Sequence, residues 1–311
     1  MLLKIALVIL PVFLLVALGF IFSFFHLLNK RLVDGFAKFC QDFGIPFLLF
    51  FNLAILDLSS AFDLRLLICF YLSMIFSFII VSCTSFFIFK RHYNTSIILG
   101  FCAMFSNGVL LGLPISELAF GAQSLFINYT IIIGHAPFCY LVGITLIEVG
   151  KIENDTYLFG IKSSLKAILL NNLTLAILLG LGFNIFNFQF SPIIEGLLKI
   201  GTDWIIPVSL FTMGGVLYYY RVSKEYKLPF AIISTSLIVQ PAVVYFLGTQ
   251  FLNVKLDHLK NAVIMAAMAP GLNAYFFANM YGECKDIVAT TILISTVLTV
   301  LSSTLWIYFL Y

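Results

Sequence analysis

Charge is what this chain has least of. Only 10% of its 311 residues are Asp, Glu, Lys or Arg, against about 25% in a soluble domain. That scarcity excludes a solvated globular surface. No block of Lys and Arg offers a phosphate backbone a footing, so no nucleic-acid partner is expected. No G-x-x-x-x-G-K-[ST] occurs, and no soluble domain that would hold a nucleotide, which argues against an ATP-driven pump. No H-E-x-x-H occurs either, and the four histidines (His26, His92, His135, His258) are scattered. No enzyme activity, catalytic residue, metal or cofactor is therefore expected. The six cysteines (Cys40, Cys69, Cys83, Cys102, Cys139, Cys284) show no C-x-x-C spacing and read as small packing residues in apolar stretches. The first apolar stretch outruns a signal-peptide core of about 7–15 residues and lacks a small-x-small cleavage site, so it reads as a spanning helix that stays.

What is present is oil. Hydrophobic residues make up 62% of the chain, mean hydropathy is +1.09, and the 35 phenylalanines read as lipid-facing bulk. Runs long enough to cross a bilayer, about 17–25 residues, fall near 3–25, 35–56, 64–89, 95–120, 124–147, 163–187, 193–219, 228–250, 259–281 and 286–310. The fold class expected is an all-α polytopic membrane protein with ten transmembrane helices. Basic residues gather on the inner side of membranes. With the N-terminus outside, twelve of the seventeen Lys and Arg fall inside and five outside. Both termini are thus expected on the outer side of a plasma membrane. Asp42, Asp57, Asp203 and Glu148 fall near span ends, where solvated or interfacial roles suffice.

The longest polar connection, "EVGKIENDTYLFGIK", divides the chain into a first five-helix repeat (1–149), a connecting loop (150–162) and a second repeat (163–311). Five helices per half require the second repeat to be inverted across the membrane, a common carrier design. Gly19 and Gly180, Pro46 and Pro207, and Gly121 and Gly282 each stand 161 positions apart, as such a repeat would leave them.

Two spans are interrupted at their centres. The fourth carries Asn107, Gly108, Gly112 and Pro114 in "FSNGVLLGLPISELAFG"; the ninth carries Pro270, Gly271 and Asn273 in "NAVIMAAMAPGLNAYFFANMYG". Proline lacks an N–H and its ring crowds the carbonyl four residues back. Glycine leaves helical geometry cheaply. Freed peptide groups cannot face lipid and must be buried or line a wet cavity, and Gly/Pro-interrupted spans in corresponding positions point to a carrier's binding site. Pro114 suits the first position of a half-helix, where its missing N–H costs nothing. Four half-helix ends meeting near the midplane suit an anion held by N–H groups or a cation held by carbonyls. The competing reading is that the prolines only kink the helices and that "GVLLG" is a packing face.

Two ionisable residues lie inside spans. His135, beside Gly134 and Pro137, would carry a coupled proton or donate to a substrate carboxylate; the alternative is that it bridges a carbonyl left free by Pro137. Glu117, three residues after Pro114, falls in the first turn of the second half-helix, where the helix dipole stabilises a carboxylate; in a functional role it would be a proton carrier. Asn52, Asn128, Asn171, Asn172 and Gln240 read as interhelical hydrogen-bonding residues.

The sequence resembles the auxin efflux carrier family, within the bile-acid and auxin carrier-like superfamily. The likeness lies in "SNGVLLGLPISELAFG" and "AAMAPGLNAYFFANMYG", similar to the family's two crossover motifs, and in "LPVFLLVALGF" and "ILLGLGF", similar to its first and sixth helices. Gly108 stands where the family often has threonine. The resemblance implies a 5+5 inverted repeat with helices 4 and 9 crossing. It implies a scaffold of helices 1, 2, 6 and 7 and a mobile transport domain of helices 3–5 and 8–10. It also implies carriage of small organic acids, mono- or dicarboxylates, or an auxin-like amphipathic acid, and the short middle loop favours a bacterial inner membrane. Substrate contact is expected at Asn107, Gly108, Gly112, Pro114, Pro270, Gly271 and Asn273. The expected partners are an organic anion, the bilayer and a second copy in a homodimer. An anion channel is the alternative reading, because broken helices also line pores.

Overall fold

The computed structural model describes residues 2–56, 62–150, 171–220 and 222–311, and every regular element among them is helical. In chain order these are α1 (Leu2–Phe24), α2 (Lys30–Phe39), α3 (Ile45–Ala54), α4 (Leu64–Ile88), α5 (Tyr93–Met104), α6 (Gly108–Phe120) and α7 (Ser124–Gly150). There follow α8 (Asn172–Ile185), α9 (Pro192–Tyr219), α10 (Lys227–Phe251), α11 (Leu256–Ala266), α12 (Leu272–Tyr281) and α13 (Lys285–Leu310). Among the described residues six helices, α1, α4, α7, α9, α10 and α13, are long and apolar enough to cross a membrane; α5, α6 and α8 are shorter apolar helices. The expected connecting loop lies, apart from Gly150, outside the described residues, as do the first residues of the span expected at 163–187.

Proline leaves a repeated signature. A five-residue π-turn precedes Pro46 (Cys40–Gly44), Pro114 (Gly108–Gly112) and Pro241 (Thr235–Val239), each ending two residues before the ring. A π-turn bonds each N–H to the carbonyl five residues back, so the coil widens where the ring would strike the carbonyl four back. Two of the spared carbonyls accept from side chains of other helices. Asn172 Nδ2 donates to the Asp42 carbonyl at 3.2 Å, four residues before Pro46. Ser302 Oγ and Trp306 Nε1 donate to the Leu237 carbonyl at 2.9 and 3.0 Å, four residues before Pro241. The segment expected as the second span is helical from Lys30, earlier than expected, through the first of these turns into α3.

The described residues divide into two compact units. One holds 2–9, 62–150, 220 and 222–311; the other holds 10–56 and 171–219. In the second unit helices meet backbone to backbone. A Cβ on Gly19 would stand 1.8 Å from the Phe211 carbonyl oxygen, and one on Gly214 would stand 1.9 Å from that of Val16, so α1 and α9 touch with no side chain between them. A Cβ on Gly180 would stand 2.6 Å from the Phe50 carbonyl oxygen, where α8 meets α3. Glycine's missing side chain permits this approach, the ordinary device for packing helices where lipid supplies no hydrophobic drive. Asn184 Nδ2 caps the end of α3 through the carbonyls of Leu53, Ala54 and Leu56.

The other polar residues inside spans divide. Asn52 bonds back to the Leu48 carbonyl of its own helix, and Asn171 caps the first turn of α8 through Leu173 N–H. Asn172 makes the interhelical bond expected of it. Asn128 and Gln240 do not: both are fully buried and neither amide has a partner among the described residues.

Candidate functional site

Both interrupted spans break, and the breaks touch. The first leaves helical geometry from Phe105 to Asn107, between α5 and α6; the second does so from Ala267 to Gly271, between α11 and α12. They pair antiparallel around Ser106 and Pro270. Asn107 N–H donates to the Ala269 carbonyl at 2.8 Å, and Gly271 N–H to the Phe105 carbonyl at 2.9 Å. Two opened helices thus satisfy each other as a two-bond fragment of sheet, in a protein that otherwise has no strand among its described residues.

Neighbouring helices settle two more peptide groups at the breaks. Ser236 Oγ donates to the Ala103 carbonyl at 3.0 Å, and Ala269 N–H donates to Thr299 Oγ1 at 3.2 Å. Within the first break, Gly108 N–H returns to the Ser106 carbonyl at 2.9 Å. Leu111 N–H returns to the Asn107 carbonyl and Ala274 N–H to the Gly271 carbonyl, so the first-turn groups without a helical acceptor are the N–H groups of Val109 and Leu110 in α6 and of Leu272 and Asn273 in α12, at the positive end of each helix dipole.

The walls are aromatic. Phe101 of α5 stacks on Phe277 of α12, with ring centroids 3.9 Å apart. Tyr140 of α7 faces both rings and that of Phe105, and its hydroxyl reaches Asn273 Oδ1 at 3.4 Å. His135 packs between Phe70 and Phe105, its ring 4.9 Å from the latter, with the Ser106 backbone beside it. Neither ring nitrogen has a hydrogen-bond partner among the described residues, nor does Ser106 Oγ. The expected alternative role for His135, bridging the carbonyl freed by Pro137, is therefore not what the ring does. Tyr71 takes a place on that helix instead: its hydroxyl donates to the Ile131 carbonyl at 2.8 Å and lies where a Cβ on Gly134 would be.

Residues 5–307 match the family of membrane transport proteins. The chain belongs to that family, which takes in the auxin efflux carriers. No curated protein matches it. The transporter is a multi-span membrane protein of a transport family, not of an enzyme family.

Of the residues expected at the transporter's site, Asn107, Pro270 and Gly271 lie in the bridge itself, Gly108 begins α6, and Asn273 is in the first turn of α12. Gly108 and Gly112 lie against Met265: a Cβ on either would come within 2.6 or 2.5 Å of its side chain. Two expectations are corrected. Pro114 does not open the second half-helix, because that helix starts six residues earlier with the π-turn that accommodates the ring. Glu117 is then not in a first turn. It is exposed and stands in the last turn of α6, whose end is Gly121 at φ 85°. The aromatic wall went unread in the sequence because its rings are far apart along the chain and look like any other lipid-facing Phe.

Proposed function

We propose that this transporter is a secondary carrier of a small organic anion, a mono- or dicarboxylate, working by alternating access. The observation that carries the reading is the bridge between two broken helices. It holds two half-helix N-termini together in the middle of an apolar protein and does not use the N–H groups of Val109, Leu110, Leu272 and Asn273. Such N–H groups bind carboxylates without any Lys or Arg in the membrane core. Asn107 and Asn273 supply orienting amides. His135 is placed to donate to a carboxylate or to carry a proton with it.

We read the chain as ten spans in a 5+5 inverted repeat, with both termini outside and the bacterial inner membrane as its home. Packing supports the repeat. Gly19 meets the Phe211 carbonyl and Gly180 meets the Phe50 carbonyl; both partners of the first contact are 161 positions from a partner of the second. Gly121 and Gly282, also 161 apart, take positive φ at the ends of α6 and α12. The unit of glycine-packed helices is proposed as the scaffold and the unit holding the bridge as the moving domain. The aromatic wall favours, as a second reading, an amphipathic ring-bearing acid of auxin type.

Flux in reconstituted vesicles tests the class. Saturable uptake with counterflow is expected, and unsaturable ohmic current would replace the carrier with a channel. Asn107→Ala and Asn273→Ala should each lower flux at least about tenfold, the order of one lost hydrogen bond to a charged group, with insertion intact. Unchanged flux in both would remove them from the site.

A further inference from the structure

Helices α10 and α13 pack side by side and run parallel. Ser223 N–H, just before α10, donates to Thr290 Oγ1, and further along the Leu237 carbonyl accepts from Ser302 Oγ and Trp306 Nε1. Between the two helices lies a groove of about 650 Å³. Ile233 and Leu237 are its buried floor. Phe230 and Ile238 of α10 and Leu305 and Phe309 of α13 are its exposed rims.

The chemistry of the groove follows from Pro241. Its ring frees the Leu237 carbonyl, and that carbonyl uses up the serine hydroxyl and the indole N–H that line the groove from α13. What is left is nearly all hydrocarbon. From Phe230 to Tyr245 the groove runs fifteen residues of α10, about 22 Å. One leaflet is about 15 Å deep, half of a core of about 30 Å. A site of that shape takes one extended apolar chain and offers a polar solute nothing.

The mouth is cationic. Lys227, the first residue of α10, is exposed and stands three residues before Phe230, hence on the same face of the helix. No carboxylate pairs with it among the described residues, and the acid nearest along the chain, Glu225, is held by Arg91. In the orientation read above this is the inner end, where anionic lipids give the membrane a negative surface.

We infer that the groove binds an anionic phospholipid of the inner leaflet, with one acyl chain laid between α10 and α13 and its phosphate at Lys227. The apolar length selects a lipid tail, and the lysine selects the charge of the headgroup. The tail lies against the π-turn Thr235–Val239. There Leu237 faces the groove, while its neighbour Ser236 donates to the Ala103 carbonyl beside the first break. A filled groove therefore braces the segment that positions the bridge, and lipid should raise flux. That role rests on the carrier reading; the binding itself does not.

The test is native mass spectrometry of the purified, delipidated, full-length protein titrated with phosphatidylglycerol or with phosphatidylcholine of the same chains, beside flux in vesicles with and without phosphatidylglycerol. One phosphatidylglycerol per chain should be retained saturably, and phosphatidylcholine about fivefold more weakly, the weight of one basic residue near an anionic surface. Lys227→Gln, at an exposed position, should erase that preference, and Ala242→Phe, in the groove wall, should weaken both lipids. Should Ala242→Phe not fold, Lys227→Gln carries the comparison. Equal retention of the two lipids by the wild type, or an unchanged preference in Lys227→Gln, overturns the site. Cross-linked dimers that form only with Ile238→Cys and ignore phosphatidylglycerol overturn it too, by seating a second copy on the groove. Retention without any flux would sink the carrier reading and leave the site standing; flux indifferent to phosphatidylglycerol would overturn the bracing role.

Discussion

The two units solve one problem in opposite ways. Each must bring backbone against backbone inside an apolar protein. In the glycine-packed unit the helices stay whole and the side chain is deleted: Gly19, Gly214 and Gly180 let α1 meet α9 and α8 meet α3. At these contacts the peptide groups stay within continuous helix, and the contact offers a solute nothing. In the other unit the side chains stay and the helices open, so that peptide groups bond across the break between Phe105–Asn107 and Ala269–Gly271. This contact is polar, and it leaves half-helix ends with unspent N–H groups. A whole helix with a missing side chain makes a frame; a broken one makes a site.

Removing the glycines should do the greatest damage. Gly214→Val and Gly19→Val drive a branched side chain into carbonyl oxygens that belong to a helix and cannot swing aside. Overpacking of a core usually costs about 1–3 kcal/mol and sometimes more; with the obstacle in backbone, the upper end or beyond is expected. Monodisperse folded protein, measured by fluorescence-detected size exclusion, should be lost in both. Gly180→Ala, with more room, should survive at reduced yield. If Gly214→Val behaves as wild type, the frame is looser than these contacts imply.

Gly271 isolates the opposite strategy. Its backbone sits at φ −77° and ψ 163°, which proline can adopt, and a Cβ there meets nothing nearer than 3.4 Å. Gly271→Ala therefore changes little, whereas Gly271→Pro fits the φ and ψ but deletes the N–H that bonds the Phe105 carbonyl and sets its ring Cδ against that oxygen. A buried carbonyl left unmade costs about 1–3 kcal/mol, so flux should fall between about fivefold and a hundredfold in the proline variant alone. Equal flux in the two would show that the bridge is held by packing and not by its hydrogen bonds.

These residues also mark how far the sequence could be read. That two spans break was legible, because proline, glycine and asparagine in mid-membrane have few other uses. Where the first break falls was not. Pro114 acts on the carbonyl upstream of it, so the coil widens over Gly108–Gly112 and the opening lies at Phe105–Asn107. That displacement carried Glu117 from an expected first turn to the last. A π-turn adds less than one residue per turn, too little to disturb an apolar run, so those before Pro46 and Pro241 left no trace either. Asn128 was visible as a polar residue in an apolar helix. That it has no partner among the described residues could be learned only from its neighbours, since pairing depends on which helices touch.

His135 is where both strategies meet one residue: a whole helix, α7, carries it against the opened one. His135→Ala should abolish the pH dependence of flux, measured in vesicles clamped at a series of pH values. Dependence that survives would assign the proton to another group and leave His135 as a wall of the site.

The smallest effect belongs to the link between the aromatic wall and the second half-helix. Tyr140 reaches Asn273 at 3.4 Å, at the long edge of a hydrogen bond. Tyr140→Phe keeps the ring against Phe101, Phe105 and Phe277 and removes only the hydroxyl. With a net worth of about 0.5–1.5 kcal/mol for an ordinary bond, and the lower end for a long one, the half-saturating substrate concentration should rise about two- to threefold with the maximal rate unchanged. A drop in maximal rate instead would mean that the hydroxyl acts on the moving step, and that Asn273 is positioned by the wall and not by the break.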